Sequence, residues 1–451
     1  MRKKKLEIIT GVFGKNVQLS DIYFIDILFL MKLSNRFVLA YFFLLITFFI
    51  TLVFSCLIPP SLLKNNIGIS VSTLKKEGTY PSFGLPWRQI VLDNFTDSLM
   101  LNTAFSVDSS NPIKSALINI RHDGTVDGAN QVLNLEKLYL NKEVKPIGYE
   151  RYWHGYLTYL RPLLMIFSYS QIRIILTLLL YSSFIIFMFL CWRILGKKVT
   201  ISLLIGLFFV DFFYLGQSMQ FSMVFLIGLL ASIFLLYNHK KNHNLYFLFF
   251  VIGALTSFFD LLTAPLITLG MLLIVATKLN RANVKNIILY SVSWSIGYLL
   301  LWFSKWAIVQ FFFAPGAILT AFNQIANRTL SQADSNFSYF SALQLNFFQL
   351  IGYSRTNKIS VLLFSILYSI FCFRYLSFDK QKIKSILPLV LIGVIPYIWY
   401  LIAANHSYLH VWYTYRDQFI SVVSLFLITT EFINWKNVKK DFRLIKERFN
   451  F

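Results

Sequence analysis

Charged residues are scarce in this chain. Asp, Glu, Lys and Arg make up 14% of its 451 residues, whereas a soluble domain contains about 25%. Hydrophobic residues make up 57%, and phenylalanine alone occupies 47 positions. This composition excludes a soluble globular protein, a nucleic-acid-binding protein and a disordered chain. It predicts a protein that crosses a lipid bilayer several times.

Cysteine is also rare, which excludes two further kinds of site. Cys56, Cys191 and Cys372 each lie inside an apolar run, so neither a disulfide framework nor a cysteine metal cage is available. His406 and His410 have the spacing of metal ligands, but no third ligand is evident nearby. We therefore expect no metal and no cofactor, with a divalent metal as the alternative.

The hydropathy pattern predicts an all-α polytopic membrane protein with about ten transmembrane helices. The predicted spans are 37–58, 172–192, 199–215, 219–237, 245–262, 264–277, 287–304, 357–377, 385–403 and 414–434. Several are shorter than the roughly 20 residues that a crossing needs, so we expect tight hairpins around Gly216 and Thr263. The run 23–31 is too short to cross. It is either an interfacial segment or, if translation begins at Met31, no part of the protein.

Lys and Arg residues predict the orientation of these spans. The net charge of +22 would indicate nucleic acid for a soluble protein, but in a membrane protein basic residues collect in cytoplasmic loops. Both termini are therefore predicted to be cytoplasmic. The predicted organisation is an N-terminal cytoplasmic segment, 1–36, a transmembrane domain, 37–434, and a basic cytoplasmic tail, 435–451.

One outer loop is long and acidic. Residues 59–171 contain nine of the 20 acidic residues of the chain, together with enough aromatic residues to pack against the membrane domain. We predict a folded lid on the outer face, with helices near 93–106 and 129–140. A second outer loop is predicted at 305–356.

Polar groups gather at the predicted outer ends of the spans, where ionisable side chains are costly and commonly functional. The candidate catalytic acids are Asp93, Asp97 and Asp260, and the candidate substrate-binding residues are His154, Arg161, Lys305, His406, His410 and Arg416. Each residue also has a purely structural interpretation. Asp260 could cap the next span, Arg161 and Lys305 could be interfacial anchors, and Asp93 and Asp97 could lie on a solvated helix face.

Such a set of groups suits a substrate that lies half in lipid and half in water. In a lipid-linked phosphosugar, the lipid tail would lie between the spans, the phosphate would meet Lys or Arg, and the sugar would lie under the lid. Transfer to a hydroxyl group requires a carboxylate base and cations that stabilise the departing phosphate.

Four sequence motifs add a family resemblance. They are Thr96–Asn102, Tyr152–Tyr156, Ser257–Pro265 and the segment from Asn405 to Arg416. With the acidic first outer loop, the chain resembles the GT-C superfamily of polyprenyl-phosphate-sugar-dependent glycosyltransferases. It most resembles membrane proteins of Gram-positive surface-polysaccharide gene clusters. The resemblance implies that a first-loop acid, Asp97 or Asp93, is the catalytic base. Many GT-C members have a closely spaced acidic pair, whereas three residues separate these two.

The predicted function is that of an integral membrane glycosyltransferase in the cell membrane. It would transfer a sugar from a polyprenyl-phosphate donor to a surface polysaccharide, teichoic acid or lipid acceptor on the outer face. The expected partners are this donor, a surface glycan acceptor and the bilayer, with no nucleic acid. Two alternatives remain, a flippase or transporter of a lipid-linked precursor and a polymerase of polysaccharide repeat units.

Overall fold

The computed structural model describes residues 19–449, except 86–87, 125–128, 242, 331–336, 353–357 and 378–381. The predictions made for residues 1–18 of the N-terminal segment lie outside these described residues. The same is true of 331–336 in the second outer loop and of the last two residues of the tail.

Helices dominate the described part of the chain, in agreement with the all-α prediction. In chain order they are α1 (Leu19–Cys56), α2 (Pro60–Glu77), α3 (Asn94–Phe105), α4 (Pro112–Ile118), α5 (Gln131–Tyr139), α6 (Leu157–Leu164), α7 (Tyr169–Ile194), α8 (Lys197–Phe209), α9 (Met219–Tyr237), α10 (Leu245–Phe259), α11 (Leu266–Lys278), α12 (Val284–Phe312), α13 (Ala317–Thr329), α14 (Tyr339–Leu350), α15 (Lys358–Tyr375), α16 (Ile383–Ile402), α17 (Ala404–Leu409), α18 (Val411–Thr414), α19 (Phe419–Phe432) and α20 (Trp435–Phe449). Two 3₁₀ helices, Phe212–Gln217 and Tyr415–Gln418, precede α9 and α19.

Five of the described helices are long and apolar enough to cross a membrane. They are Asn35–Cys56 of α1, and α7, α9, α12 and α16. The apolar helices α10 and α11 are shorter. Two predicted spans, 199–215 and 245–262, extend too far, because α8 ends at Phe209 and α10 at Phe259. Each of these helices ends just before an aspartate, Asp211 or Asp260, and Asp211 has a left-handed backbone with φ of 57°.

The chain divides into two compact units, Met1–Thr47 and Phe48–Phe451. In the first unit the described residues form most of α1, and large apolar side chains such as Leu39 and Phe43 are exposed. Such exposure suits a helix that faces lipid, because lipid tails are as apolar as the side chain and exposing it to them costs little free energy.

In the second unit, α10 and α12 approach closely through two glycines. A Cβ atom at Gly253 would lie 2.0 Å from the carbonyl oxygen of Trp294, and one at Gly297 would lie 2.1 Å from the carbonyl oxygen of Phe250. The contact is reciprocal, since each glycine admits the backbone of the other helix. Small residues allow this approach in membranes, where packing rather than hydrophobic burial holds helices together.

Replacement of Gly253 by alanine is expected to destabilise the protein by about 1–3 kcal/mol, the usual cost of overpacking a core. The added methyl group meets a backbone carbonyl, which cannot rotate away. Gly393→Ala is the matched control, because its nearest neighbour is the Ser424 Cβ atom at 3.2 Å. Thermal unfolding of both variants in detergent tests this, and equal midpoints would contradict the close-packing argument.

The predicted lid is folded. Residues 60–164 contain α2 to α6 and two antiparallel strand pairs, Ser82–Leu85 with Arg88–Val91 and Arg121–Asp123 with Lys145–Ile147. Helices α3 and α5 lie within two residues of the predicted helices 93–106 and 129–140. These strands were not predicted from the sequence.

Two tryptophans join the lid to α12. The Trp153 indole N–H donates to the Leu301 carbonyl oxygen at 2.7 Å, and the Trp302 indole N–H donates to the Arg151 carbonyl oxygen at 3.1 Å.

The predicted start of the second outer loop at residue 305 is wrong, because α12 continues to Phe312. Lys305 therefore lies inside α12. Its ammonium group is buried and donates to polar groups of the lid.

Candidate functional site

A cavity of about 280 Å³ lies between the lid and the helix ends next to it. Lid residues from α3 and from the segment before α6 form one side. The first turn of α9, helix α13 and the helices α17 and α18 form the other. The cavity therefore lies where segments distant in sequence meet, beyond the ends of the long apolar helices.

Two arginines line this cavity. The Arg328 guanidinium donates to the Tyr152 hydroxyl at 2.5 Å, and its carbon lies 5.3 Å from the centre of the Tyr152 ring. The Arg151 guanidinium donates to the Gln324 side-chain oxygen at 3.0 Å and lies 5.1 Å from the centre of the Tyr149 ring. A guanidinium stays charged at any physiological pH and matches phosphate geometry well. The aromatic rings hold both cations in place.

Amide side chains provide the second polar group of the wall. Gln220, Gln324, Asn327 and Asn405 all line the cavity, and Asn405 donates to the Asn327 carbonyl oxygen at 2.5 Å. An amide side chain has both donors and acceptors. These groups can therefore bind the hydroxyl groups of a sugar without selecting for charge.

The predicted residues His406 and His410 both line the cavity, with ring centres 4.8 Å apart. The His406 Nε2 atom lies 2.8 Å from the Leu262 carbonyl oxygen and must donate to it. Burial lowers the pKa of His410 to about 4, so its ring is neutral at neutral pH. Among the described residues no group of three or more His, Cys, Asp and Glu side chains could hold a metal ion.

Asp93 lies directly behind the cavity wall. Its carboxylate accepts from the Thr96 amide and hydroxyl groups, both at 3.0 Å, and from the side-chain amide of Gln220. Thr96 and Gln220 both line the cavity. Burial raises the pKa of Asp93. Thr96 and Gln220 therefore lie between the Asp93 carboxylate and the cavity. Because its pKa is raised, this carboxylate binds a proton more tightly than an exposed one does.

Asp97 lies on the same face of α3 but has a different setting. It accepts from the Tyr169 hydroxyl at 2.6 Å and the Ser218 hydroxyl at 3.3 Å. It also accepts from the Met219 and Gln220 backbone amides, at 3.0 and 3.2 Å. These amides belong to the first turn of α9, so a lid carboxylate caps a helix of the membrane domain.

This setting predicts how the contribution of Asp97 to stability depends on pH. Burial raises the pKa of Asp97 to about 6, compared with about 3.9 in an unfolded chain. Because the folded protein binds the proton more tightly, the stabilisation is complete below pH ~4 and is lost as the pH rises through about 6. The stability of the wild type relative to Asp97→Asn is therefore expected to fall by up to about 3 kcal/mol between pH 4 and pH 7.

Thermal unfolding of the two proteins in detergent at a series of pH values measures this difference. Other titrating groups are present in both proteins and cancel. A difference in stability that stays constant across this pH range would contradict the assignment.

Asp260 caps the turn before α11. Its carboxylate accepts from the Thr263 amide at 3.0 Å and from the Thr263 hydroxyl at 2.5 Å. The neighbouring residue, Leu261, lines the cavity. The sequence also suggested that Asp260 caps the next helix, but α11 begins at Leu266, whose amide donates to Asp417 at 3.1 Å. The described cavity wall does not include the Asp260 carboxylate itself.

The three predicted phosphate-binding cations do not converge. Arg161 donates to the carbonyl oxygens of Ser55, Ile58 and Ala104. Lys305 donates to the Asn119 side chain and the Tyr152 carbonyl oxygen. Both side chains are buried, and the described part of the cavity wall includes neither cation.

Arg416 and His154 are likewise engaged elsewhere. Arg416 donates to the Trp412 carbonyl oxygen at 2.9 Å and lies 4.1 Å from the centre of the Phe221 ring. His154 donates from Nε2 to the Tyr149 carbonyl oxygen at 2.6 Å, and its Nδ1 lies 2.9 Å from the Tyr156 hydroxyl. Both are buried, and each bonds a backbone carbonyl oxygen four or five residues earlier in its own segment.

Sequence reasoning did not select the residues that give this cavity its charge. Arg328 lies in the predicted second outer loop, 305–356, yet Gln324, Asn327 and Arg328 have the three- and four-residue spacing of one helix face. That spacing was the available signal. Arg151 is one of the polar residues that lead into the predicted span 172–192, with His154 and Arg161, but it is not among the predicted site residues.

Comparison with models of protein families, with curated proteins and with solved structures finds no match to this chain. The geometry of the cavity and the sequence motifs therefore carry the functional argument.

Proposed function

We propose that the chain is a membrane glycosyltransferase that takes a sugar from a polyprenyl-phosphate donor and transfers it to a surface glycan, teichoic acid or lipid acceptor. The observation that carries this proposal is the cavity, in which Arg151 and Arg328 accompany aromatic, amide and imidazole groups. Arginines suit the phosphate, amides suit the sugar hydroxyls, and the position at the helix ends suits a substrate with a lipid tail.

The proposed orientation places the cavity outside the cell. The segments 193–198, 238–244 and 278–286, at the far ends of the helices, all contain Lys or Arg, whereas the turns 210–218 and 260–265 contain neither. Basic loops are retained in the cytoplasm. A GT-C-like arrangement of ten crossings with both termini inside would add α8, α10, α11, α15 and α19 to the five long apolar helices.

The proposed reaction uses Asp93 as the base. The acceptor hydroxyl attacks the anomeric carbon, the bond between that carbon and the phosphate oxygen breaks, and polyprenyl phosphate departs with both bonding electrons. Asp93 takes the hydroxyl proton, with Gln220 moving aside to give it access. Arg151 and Arg328 balance the charge on the departing phosphate. Such base catalysis typically contributes 10²–10⁴-fold.

The test is a transfer assay with the full chain in membranes. Radiolabelled polyprenyl-phosphate sugar and isolated cell envelope should give labelled polymer and free polyprenyl phosphate. Comparative glycosyl analysis of envelopes with and without the protein identifies the added sugar. If the donor stays intact with every acceptor fraction, and the envelope composition does not depend on the protein, the proposal fails.

A further inference from the structure

A second cleft lies at the other end of the same helices, where α7, α9 and α11 finish. Its volume is about 650 Å³. The cavity of the candidate site involves the first turn of α9, whereas this cleft includes Tyr237 at its last turn. The two are therefore separated by the length of α9, about 28 Å for 19 residues.

Three cations line the cleft. Lys278 lies 3.3 Å from Glu431, which offsets part of its charge. Arg193 and Lys240 are exposed, and neither is ion-paired with a carboxylate in the described part of the chain. Arg193 and Lys278 lie in the last turns of their helices and there also favour the negative helix ends. Lys240 lies beyond the end of α9. Its charge gives the cleft a positive charge.

The cleft also has an apolar side. Tyr237 is 77% exposed and Phe189 is 56% exposed, and both line the cleft. Aromatic residues so exposed at the end of an apolar helix are typical of the boundary between lipid tails and headgroups. A soluble anion would bind the cations but would gain nothing from these rings.

The length of α7 sets the depth of the cleft. Its 26 residues extend about 39 Å, whereas the hydrocarbon core is about 30 Å thick. The end of α7, where Arg193 lies, therefore reaches the headgroup level. Basic clefts between helices at this depth suit phosphate-containing lipid headgroups.

We propose that this cleft binds an anionic phospholipid. The phosphodiester lies between Arg193, Lys240 and Lys278, and an acyl chain runs along Phe189 and Tyr237. A site of this kind would couple the packing of α7, α9 and α11 to the lipid composition of the surrounding leaflet.

The test uses the purified full chain in detergent, titrated separately with phosphatidylglycerol, phosphatidylcholine and inorganic phosphate. The thermal midpoint reports binding. The double variant Arg193→Gln, Lys240→Gln removes two cleft charges. The control, Lys197→Gln, Lys198→Gln, removes two exposed charges from the same end of the molecule, where these lysines lie over the rings of Trp192 and Trp435.

Phosphatidylglycerol is expected to act at concentrations roughly tenfold lower than phosphatidylcholine, and the double variant is expected to lose about tenfold or more of this affinity. The control should bind as the wild type does. Because both changed residues are exposed, the midpoint without lipid should not move. If it does move, Tyr237→Ala replaces the double variant, with a loss of phosphatidylglycerol affinity expected.

Three results would overturn the proposal. Equal effects of the two phospholipids would remove the role of charge. An equal loss in the control would show a general surface-charge effect. A midpoint shift by inorganic phosphate alone would assign the cleft to a soluble anion.

Discussion

Asp93→Asn is expected to lower sugar transfer about 10²–10⁴-fold, the usual contribution of a general base, while the protein remains folded. Asparagine keeps the shape of the side chain and is a good N-cap residue, so it still accepts from the Thr96 amide at the start of α3. It cannot take a proton from the acceptor. The measurement is the transfer rate of the purified variant, with a thermal midpoint near that of the wild type.

Asp97→Asn is the matched control, because it makes the same change four residues along the same helix. The Asp97 carboxylate contacts the backbone amides of Met219 and Gln220, whereas the Asp93 carboxylate contacts the side chains of Thr96 and Gln220, two residues of the cavity wall. Asp97→Asn should therefore leave the rate per folded molecule largely unchanged, and its effect on the thermal midpoint should follow the pH dependence given above. A loss of rate in Asp97→Asn with full activity in Asp93→Asn would make Asp97 the base, as the family resemblance also allows. If both variants stay active, His410→Gln tests the remaining candidate in the cavity wall.

The raised pKa of Asp93 adds a second readout. A base must be deprotonated, so the transfer rate should fall on acidification at a pH above the ordinary carboxyl range of about 4. A rate that stays flat down to pH 4 would exclude Asp93 as the base.

Arg151→Gln is expected to weaken donor binding by about 1.5–3 kcal/mol, the contribution of a hydrogen bond to a charged group. Glutamine retains polarity but not the charge that balances the donor phosphate. Arg328→Gln should act in the same way. Titration of the donor at fixed acceptor concentration measures the effect, and acceptor dependence should hardly change, because the proposed arrangement uses both arginines to bind the donor phosphate.

Arg121→Gln provides the control for Arg151. Both guanidinium groups lie over the Tyr149 ring, at 5.3 and 5.1 Å, so each substitution removes the same stacking contact. The described cavity wall includes Arg151 but not Arg121, which pairs with Asp123 at 3.0 Å. A similar loss of donor affinity in both variants would point to disturbed packing of Tyr149 instead of a phosphate contact.

The sequence predicted much of the helical framework. Apolar runs specify helices by their length, and α9 begins and ends at its predicted residues, 219 and 237. The lid helices were predictable for a related reason, since Asp93 and Asn130 are good N-cap residues and each accepts from a backbone amide three residues later. The helix spacing of Asp93 and Asp97 also predicted a shared face, and both carboxylates contact Gln220.

The composition of the cavity could not be predicted in the same way. Position along a span gives the depth of Arg161 and Lys305 but not their partners, which are 57 to 186 residues distant in sequence. A buried cation must be satisfied by some acceptor. Whether that acceptor is a backbone carbonyl or a substrate depends on tertiary packing. Arg151 and Arg328 of the cavity therefore differ from Arg161 only in the groups that surround the guanidinium.

The attachment of the lid limits how substrates can enter. Swinging the lid away would break the Asp97 contacts with α9 and the Lys305 contacts with Asn119 and Tyr152 together. Hydrogen bonds to charged groups contribute about 1.5–3 kcal/mol each, so an open lid would be populated in far less than about 1% of molecules. The lid is therefore expected to stay in place and not to open. In the proposed transferase, donor and acceptor would exchange through the mouth of the cavity, and hydrogen exchange at the Met219 and Gln220 amides should stay slow during turnover.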